Sequence, residues 1–387
     1  MAYAEDLNFV FLTPTKIVFG EGAANDIGSE VDSLGGKKAF IVTDENLIKV
    51  GLVAPIQKAL GAKYVGVFSE VPQDSDVEVV NKGAELARQA GADTLISIGG
   101  GSVIDTAKGM AILVKEGGKL RDYEGIQVLS RPITPHIVIP TTGGTGSEVS
   151  YAAVIKDHEQ GAKLLFCDYH IIPNVAILDP KLLVGLPAKL TASTGMDAMC
   201  HAVEAIHSLQ REPVADALAL HALRLISQYL PRCVEKPDDL VARGQQLIAA
   251  TLAGAAFSNA QVGLVHAMAH TVGARHGVPH GIANSILLPY VILYNLDACA
   301  DRYKLVAEAL GVKTEGLSDE EAGKTGANKI WELTKRMNLP QRLRDVGVPE
   351  DDLEGCAEHS LSDGAIVYNP KPILEAREVL EVYKKAW

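Results

Sequence analysis

The stretch TLISIGGGSVIDTAKGMAIL, residues 94–113, decides the fold class: apolar, β-branched residues run into three glycines and a serine, then into a segment with helical spacing. A strand that turns on glycines into a helix leaves the backbone N–H groups of the helix start free, and that geometry suits a pyrophosphate. The general dinucleotide fingerprint G-x-G-x-x-G is not met, because Ile104 stands where the third glycine belongs, and the Lys-Ser/Thr pair of a P-loop is missing. Taken alone, the loop therefore also fits a tight turn that binds nothing.

Outward from this loop the same grammar repeats. AFIVTD (39–44), KYVGVF (63–68), HIVIP (136–140) and VAILD (175–179) read as strands, and residues 76–90 between two of them carry apolar residues at helical spacing and end at Gly91. This alternation implies parallel strands with crossover helices, an α/β domain. A second loop, in HIVIPTTGGTGSEVS (136–150), again ends a strand with glycines and hydroxyls, and two such loops suggest one dinucleotide. Asp44 closes its strand where a carboxylate can accept from a ribose 2′-OH and repel a 2′-phosphate, which favours NAD over NADP; it is equally placed to cap a helix over 45–50. From about Leu190 the pattern is helical to Trp387, and LDPKLLVGLPAKLT (178–191), broken by Pro180, Gly185 and Pro187, marks the boundary between an α/β domain over 1–186 and an all-helical domain over 187–387.

Two domains suit a chain of 387 residues, since a single core stops growing near ~250–300. A net charge of −12 without any concentration of Lys and Arg argues against nucleic acid and for small-molecule partners. Five cysteines without a C-x-x-C pair suggest neither a disulfide framework nor a thiolate zinc site, and point to a reducing, cytoplasmic setting. The opening MAYAEDLNFV lacks the regions of a signal peptide. Residues 244–274 hold no Asp, Glu, Lys or Arg, but Asn259, Gln261, His266 and His270 within them would be costly in lipid, so a helix buried in protein is expected rather than a membrane span.

The helical half carries the chemistry. In TGMDAMCHAVEAIHS (194–208), Asp197 and His201 lie four apart on one helix face, a pairing that suits Fe²⁺, Zn²⁺ or Mn²⁺. In GLVHAMAHTVGARHGVPHGIANSILLP (263–289), His266, His270, His276 and His280 fall within fifteen residues. A single histidine such as His207 or His221 is ordinarily a satisfied core residue, but that account strains over four together. Spacing does not say which three join Asp197.

Together these residues resemble the iron-containing (group III) alcohol dehydrogenase family. GGGSVIDTAK (99–108), PTTGGTGSEVS (140–150), GMDAMCHAVEA (195–205) and GLVHAMAHTVGARHGVPHGIAN (263–284) stand in the family's order, with PTKIVFG (14–20) and NPKP (369–372) at the ends. The resemblance implies an N-terminal dinucleotide-binding α/β domain with a parallel sheet and an all-α metal-binding domain, the dehydroquinate synthase-like architecture. It implies Asp197, His201, His266 and His280 as ligands of one divalent ion, Fe²⁺ or Zn²⁺, with His270 near nicotinamide and substrate. It also implies NAD contacts from Asp44, from Gly100, Gly101, Ser102 and Asp105, from Thr141, Thr142, Thr145 and Ser147, and from Lys163. Relatives commonly carry P-N-P-T where this chain has Pro72-Gln73-Asp74-Ser75, and Tyr151, Ala152 and Phe257 stand at expected pocket positions. The implied unit is a homodimer or larger homo-oligomer.

The reaction so implied interconverts small primary alcohols or diols and their aldehydes. A Lewis-acid cation stabilises the alkoxide that gives up hydride, and His270 relays the proton or orients the substrate. Glycerol dehydrogenases and dehydroquinate synthase-like lyases are the rival reactions on this architecture. A non-catalytic scaffold is the rival of a different class, and the two glycine loops and the histidine cluster argue against it.

Overall fold

The computed structural model describes Tyr3, residues 7–159 and residues 162–387. The chain divides into two compact units, one over residues 13–185 and one over 186–387 joined by residues 1–12. Tyr3 and residues 7–12, counted by sequence with the α/β domain, thus group with the helices. The backbone N–H and carbonyl of Leu12 are both taken by the Asn259 side chain, at 2.8 and 3.1 Å.

The first unit has strands β1 (Lys16–Phe19), β2 (Ala39–Val42), β3 (Tyr64–Phe68), β4 (Thr94–Gly99), β5 (Gly125–Ile126), β6 (His136–Pro140), β7 (Ala152–Asp157), β8 (Ala162–Cys167) and β9 (Val175–Leu178). Its helices are α1 (Ile27–Ser33), α2 (Glu45–Lys49), α3 (Val53–Leu60), α4 (Val77–Gln89) and α5 (Gly101–Glu116). Six strands form a parallel sheet in the order β1-β9-β6-β4-β2-β3. Alternate strand residues feed two cores: Ile41, Ile96 and Ile137 meet Val31 and Ile56 of α1 and α3, while Phe40, Val42 and Leu95 meet Ala84 of α4 and Met110 of α5. Helices on both faces explain why β2, β4, β6 and β9 are buried throughout rather than alternating. From β2 the chain moves to β3 on one side and then to β4 on the other, so the loops after β2 and β4 leave the sheet where its winding reverses, the usual ligand position in open α/β sheets.

A small second sheet, β5-β8-β7, was not evident in the sequence. Its antiparallel pair β7 and β8 is short and interleaved with Lys156, Asp157 and Lys163, which hides the apolar period. Helix α4 starts on Asp76, whose carboxylate accepts from the N–H of Glu78 and Val79, and Gly91 just beyond its end has φ 68°.

His136 on β6 is buried, with Nε2 2.8 Å from Ser97 Oγ. Burial, helped by the Lys108 ammonium, pushes its pKa down from 6.5 to about 3. The unfolded chain binds a proton below about pH 6.5 that the folded chain refuses, so the stabilisation from the neutral ring is complete above that pH and is lost as pH falls towards 3. Between pH 7 and 5 this group alone is expected to remove about 2 kcal/mol, read from the denaturant midpoint. His136→Gln should flatten the slope, and an unaltered slope would acquit His136.

The second unit contains α6 (Ala188–His207), α7 (Pro213–Glu235), α8 (Leu240–Ala260), α9 (Leu264–His276), α10 (His280–Tyr294), α11 (Leu296–Ala309), α12 (Asp319–Arg336), α13 (Leu353–Ser360) and α14 (Ala376–Ala386). Residues 244–274 are not one helix: α8 and α9 meet at 104°, after Gln261 takes φ 71°. Most of both helices is buried in the unit's core, and among the described residues no single helix is long and apolar enough to cross a membrane.

Candidate active site

In the first unit the two glycine loops lie against each other. A Cβ on Gly101 would come within 2.8 Å of Thr145 Cγ2, and one on Gly100 within 3.2 Å of Thr142 Cγ2, so glycine is what allows the approach. Gly100 is the N-cap of α5 and no side chain caps that end, which leaves the first-turn N–H groups available to an anion. The Thr141 N–H bonds the Gly99 carbonyl at 3.0 Å, and Ser102 Oγ accepts from the Asp74 N–H at 3.0 Å. The 72–75 segment is thereby tied to the first loop.

Asp105 and Ser147 face inward. Ser147 Oγ donates to Asp105 Oδ1 at 2.7 Å, and the Val154 N–H donates to Asp105 Oδ2 at 3.0 Å. Beneath them Lys108, fully buried, gives its ammonium to Ser147 Oγ, Ser150 and the Ala152 carbonyl at 2.8–3.1 Å. Burial pushes Lys108 down to about 8, resisted by Asp105 and Glu148, and pushes the Asp105 carboxyl up, resisted by Lys108. Lys108 was missed in the sequence reading, although it sits in the GGGSVIDTAK stretch one turn past Asp105 and on its face. Asp44 caps α2, its Oδ1 accepting from the N–H of Asn46 and Leu47 at 2.8 and 3.1 Å, which keeps the carboxylate at the C-terminal end of β2. Lys163 lies exposed on β8, opposite Lys156.

In the second unit, α6, α9 and α10 bring Asp197, His201, His266 and His280 together. The Nε2 atoms of His201, His266 and His280 lie 3.8, 3.8 and 3.3 Å from a single atom, Asp197 Oδ1. Each side chain is delivered locally: Asp197 and His201 share a face of α6, and His266 projects from the first turn of α9. His280 opens α10 after Gly277, left-handed at φ 67°, has ended α9 and Pro279 has set the turn. Burial drives His201 down to about 3 and His266 well below the imidazole range, so both rings are neutral, the form that offers a lone pair to a cation. Burial alone would raise Asp197; the surrounding His201, His280 and His266 outweigh it and hold the carboxyl below its ordinary range. One carboxylate and three imidazoles aimed at one point, with ligand atoms of Asp197, His201 and His266 within 4.8 Å of one another, fit a divalent transition-metal ion.

The supporting partners were not anticipated. Glu204, buried one turn beyond His201, meets His266 Nδ1 with Oε2 at 2.5 Å and accepts the Val265 N–H on Oε1 at 2.7 Å, which turns His266 Nε2 towards Asp197. An acid at i+3 from a histidine inside the apolar run MCHAVEAIH was the available signal. Asn284, one turn into α10, donates from Nδ2 to Asp197 Oδ1 at 2.7 Å. His270 stands apart from the converging set: its Nδ1 pairs with Asp363 Oδ2 at 2.7 Å, and its ring stacks on His280 at 5.2 Å between centroids. Burial would raise Asp363, but the His270 bond dominates and lowers it to about 2. Phe257 stacks on His201, centroids 4.2 Å apart.

Known proteins match both units of the chain. Residues 14–180 match the family described as iron-containing alcohol dehydrogenase, and residues 191–387 match the C-terminal part of the Fe-containing alcohol dehydrogenase family. The chain is 37% identical over 378 residues to an NAD-dependent methanol dehydrogenase of Bacillus methanolicus, covering 97% of this chain and 99% of that one. It is 39% identical over 383 residues to a 1,3-propanediol dehydrogenase of Citrobacter freundii, covering 98% and 99%. The crystal structure of a 1,3-propanediol oxidoreductase superposes with a TM-score of 0.96 at 38% identity, covering 98% of this chain and 100% of that one.

Proposed function

The chain belongs to the iron-containing alcohol dehydrogenase family and interconverts alcohols and aldehydes with NAD and a divalent metal; from that premise we propose that its substrates are small primary alcohols or diols and that Asp197, His201, His266 and His280 hold the ion. The observation that carries this reading is the convergence of three imidazole Nε2 atoms on one oxygen of Asp197. When bound, the cation supplies Lewis-acid polarisation of the substrate oxygen and the nicotinamide supplies the hydride acceptor. We assign Fe²⁺ on the family's character; Zn²⁺ satisfies the same donors.

The chain's own residues do the rest. Glu204 fixes His266 so that Nδ1 carries the proton and Nε2 faces Asp197. Asp363 does the same for His270, leaving His270 Nε2 to take the hydroxyl proton in oxidation and return it in reduction. The uncapped start of α5 at Gly100, Gly101 and Ser102, with Thr141, Thr142, Thr145 and Lys163, receives the dinucleotide phosphates and ribose. Asp105 and Ser147 serve it by bracing the second loop. The Asp44 charge beside β2 disfavours a 2′-phosphate, hence NAD. Phe257, flat against His201, narrows the space beside the ligands and supports a short substrate. Five unbridged, buried cysteines support a cytoplasmic setting, and the edge strand β1, with Ile17 and Phe19 half exposed, is the surface we assign to self-association.

An anaerobic panel of short alcohols, diols and aldehydes with NAD(H) and NADP(H), run on protein reconstituted separately with Fe²⁺ and Zn²⁺, tests the reading; preference for long-chain or secondary alcohols would reject it. Within the site, His270→Ala is expected to lower turnover by about 10²–10⁴ with the metal content unchanged. Loss of the metal in that variant would show that the ligand set is wrong.

A further inference from the structure

We propose that His276, Asp352 and Cys356 form a second divalent-cation site, of the zinc class, that ties the end of α9 to α13. The three donors share no residue with the first cluster. His276 is the last residue of α9, Asp352 is the N-cap of α13, and Cys356 follows Asp352 by four residues and so lies on the same face.

The distances match a chelate. His276 Nε2 lies 2.8 Å from Asp352 Oδ2, Cys356 Sγ lies 3.5 Å from His276 Nε2, and Cys356 Sγ lies 3.7 Å from Asp352 Oδ2. A tetrahedral ion with metal–nitrogen and metal–oxygen bonds of ~2.0–2.1 Å and a metal–sulfur bond of ~2.3 Å needs donor pairs roughly 3.4–3.6 Å apart. Two of the three edges are already near that length. The third is a hydrogen bond that opens by about 0.5 Å when an ion replaces its proton.

The pattern differs from that of a thiol activated for nucleophilic attack. There the carboxylate holds one ring nitrogen and the thiol meets the other. Here both carboxylate and sulfur meet Nε2, which is convergence on a point.

The surroundings suit an ion. Arg275 also holds this carboxylate, its Nε bonding Asp352 Oδ2, the oxygen that faces His276 and Cys356, at 2.8 Å and its Nη2 meeting Oδ1, and so fixes the carboxylate's orientation. Cys356 is buried, while the His276 and Asp352 side chains are 15% and 28% exposed, so the ion enters from solvent and water completes its coordination. Burial and Asp352 push the Cys356 thiol up to about 11; the thiol keeps its proton until the cation displaces it into solvent. Carboxylate and thiolate then offset the two charges of the ion, and the Arg275 guanidinium on Asp352 leaves the cluster with one positive charge.

The test uses the metal-stripped full chain titrated with Co²⁺ under argon. Uptake of two equivalents is expected, one of them with a thiolate-to-cobalt charge-transfer absorption, which the sulfur-free first cluster cannot give. Cys356→Ser and His276→Ala should each bind one equivalent, lack that absorption and keep alcohol oxidation. Absence of the thiolate signature from the unaltered chain, or its persistence in Cys356→Ser, would each overturn the proposal; a single equivalent that carries the signature would instead count against the first cluster. The spectrum of the unaltered chain decides the matter even if a variant fails to fold.

Discussion

Asp197→Asn is expected to leave a folded chain that retains no divalent cation and oxidises alcohol at least about a thousandfold more slowly. Asp197 is the only anion among the four converging side chains, and its Oδ1 is the point on which three imidazole Nε2 atoms aim at 3.3–3.8 Å. An amide there would leave four neutral donors and no anion in direct contact with a desolvated ion. The fold should survive, because the neighbouring rings are neutral and the exchange strands no buried cation. Metal analysis after anaerobic loading, turnover, and a melting curve of the metal-free chain give the three readings. A variant that keeps both ion and rate would dissolve the assignment of this cluster.

Gly281→Ala should weaken the same site by a purely steric route. A Cβ at Gly281 would stand 2.3 Å from the backbone oxygen of Ser193 and 2.8 Å from its carbonyl carbon, and backbone cannot swing aside as a flexible side chain can. The first turn of α10 must therefore retreat from α6. His280, beside Gly281, rides on α10, and Asp197 rides on α6, so the 3.3 Å approach between their donor atoms opens with it. The expected cost is about 1–3 kcal/mol of stability and roughly 10–100-fold in metal affinity. Gly185→Ala, whose Cβ meets nothing within 4 Å, is the matched control. Wild-type affinity in Gly281→Ala would mean that α10 has slack that the packing does not suggest.

Much of this was legible in the residues. The apolar runs at 39–44, 94–99, 136–140 and 175–179 declared buried parallel strands because a strand covered on both faces cannot alternate. The turn glycines 99–101 declared a close approach, and the packing of Thr145 against Gly101 and of Thr142 against Gly100 shows where a Cβ would crowd it. The pairs Asp197–His201 and His266–His270 were visible as i, i+4 faces, but the second pair splits: His266 turns to Asp197 and His270 to Asp363. Helical period alone cannot separate two neighbours on one face, since the choice depends on what each side chain meets beyond its own helix.

Local chemistry, carried by the order of apolar runs, glycines, capping acids and paired ligands, was enough to specify an α/β unit, a helical unit and the elements bearing the reactive side chains. Helical period left open which histidines share a point with Asp197, which only the family resemblance named; tertiary structure alone showed that Glu204 orients His266 and Asp363 orients His270, and that His276 meets Asp352 and Cys356. The reason is physical: helix and strand periods act over a few residues, whereas these contacts join positions from 62 to 93 residues apart, and only the packing of whole helices brings such positions within bonding distance.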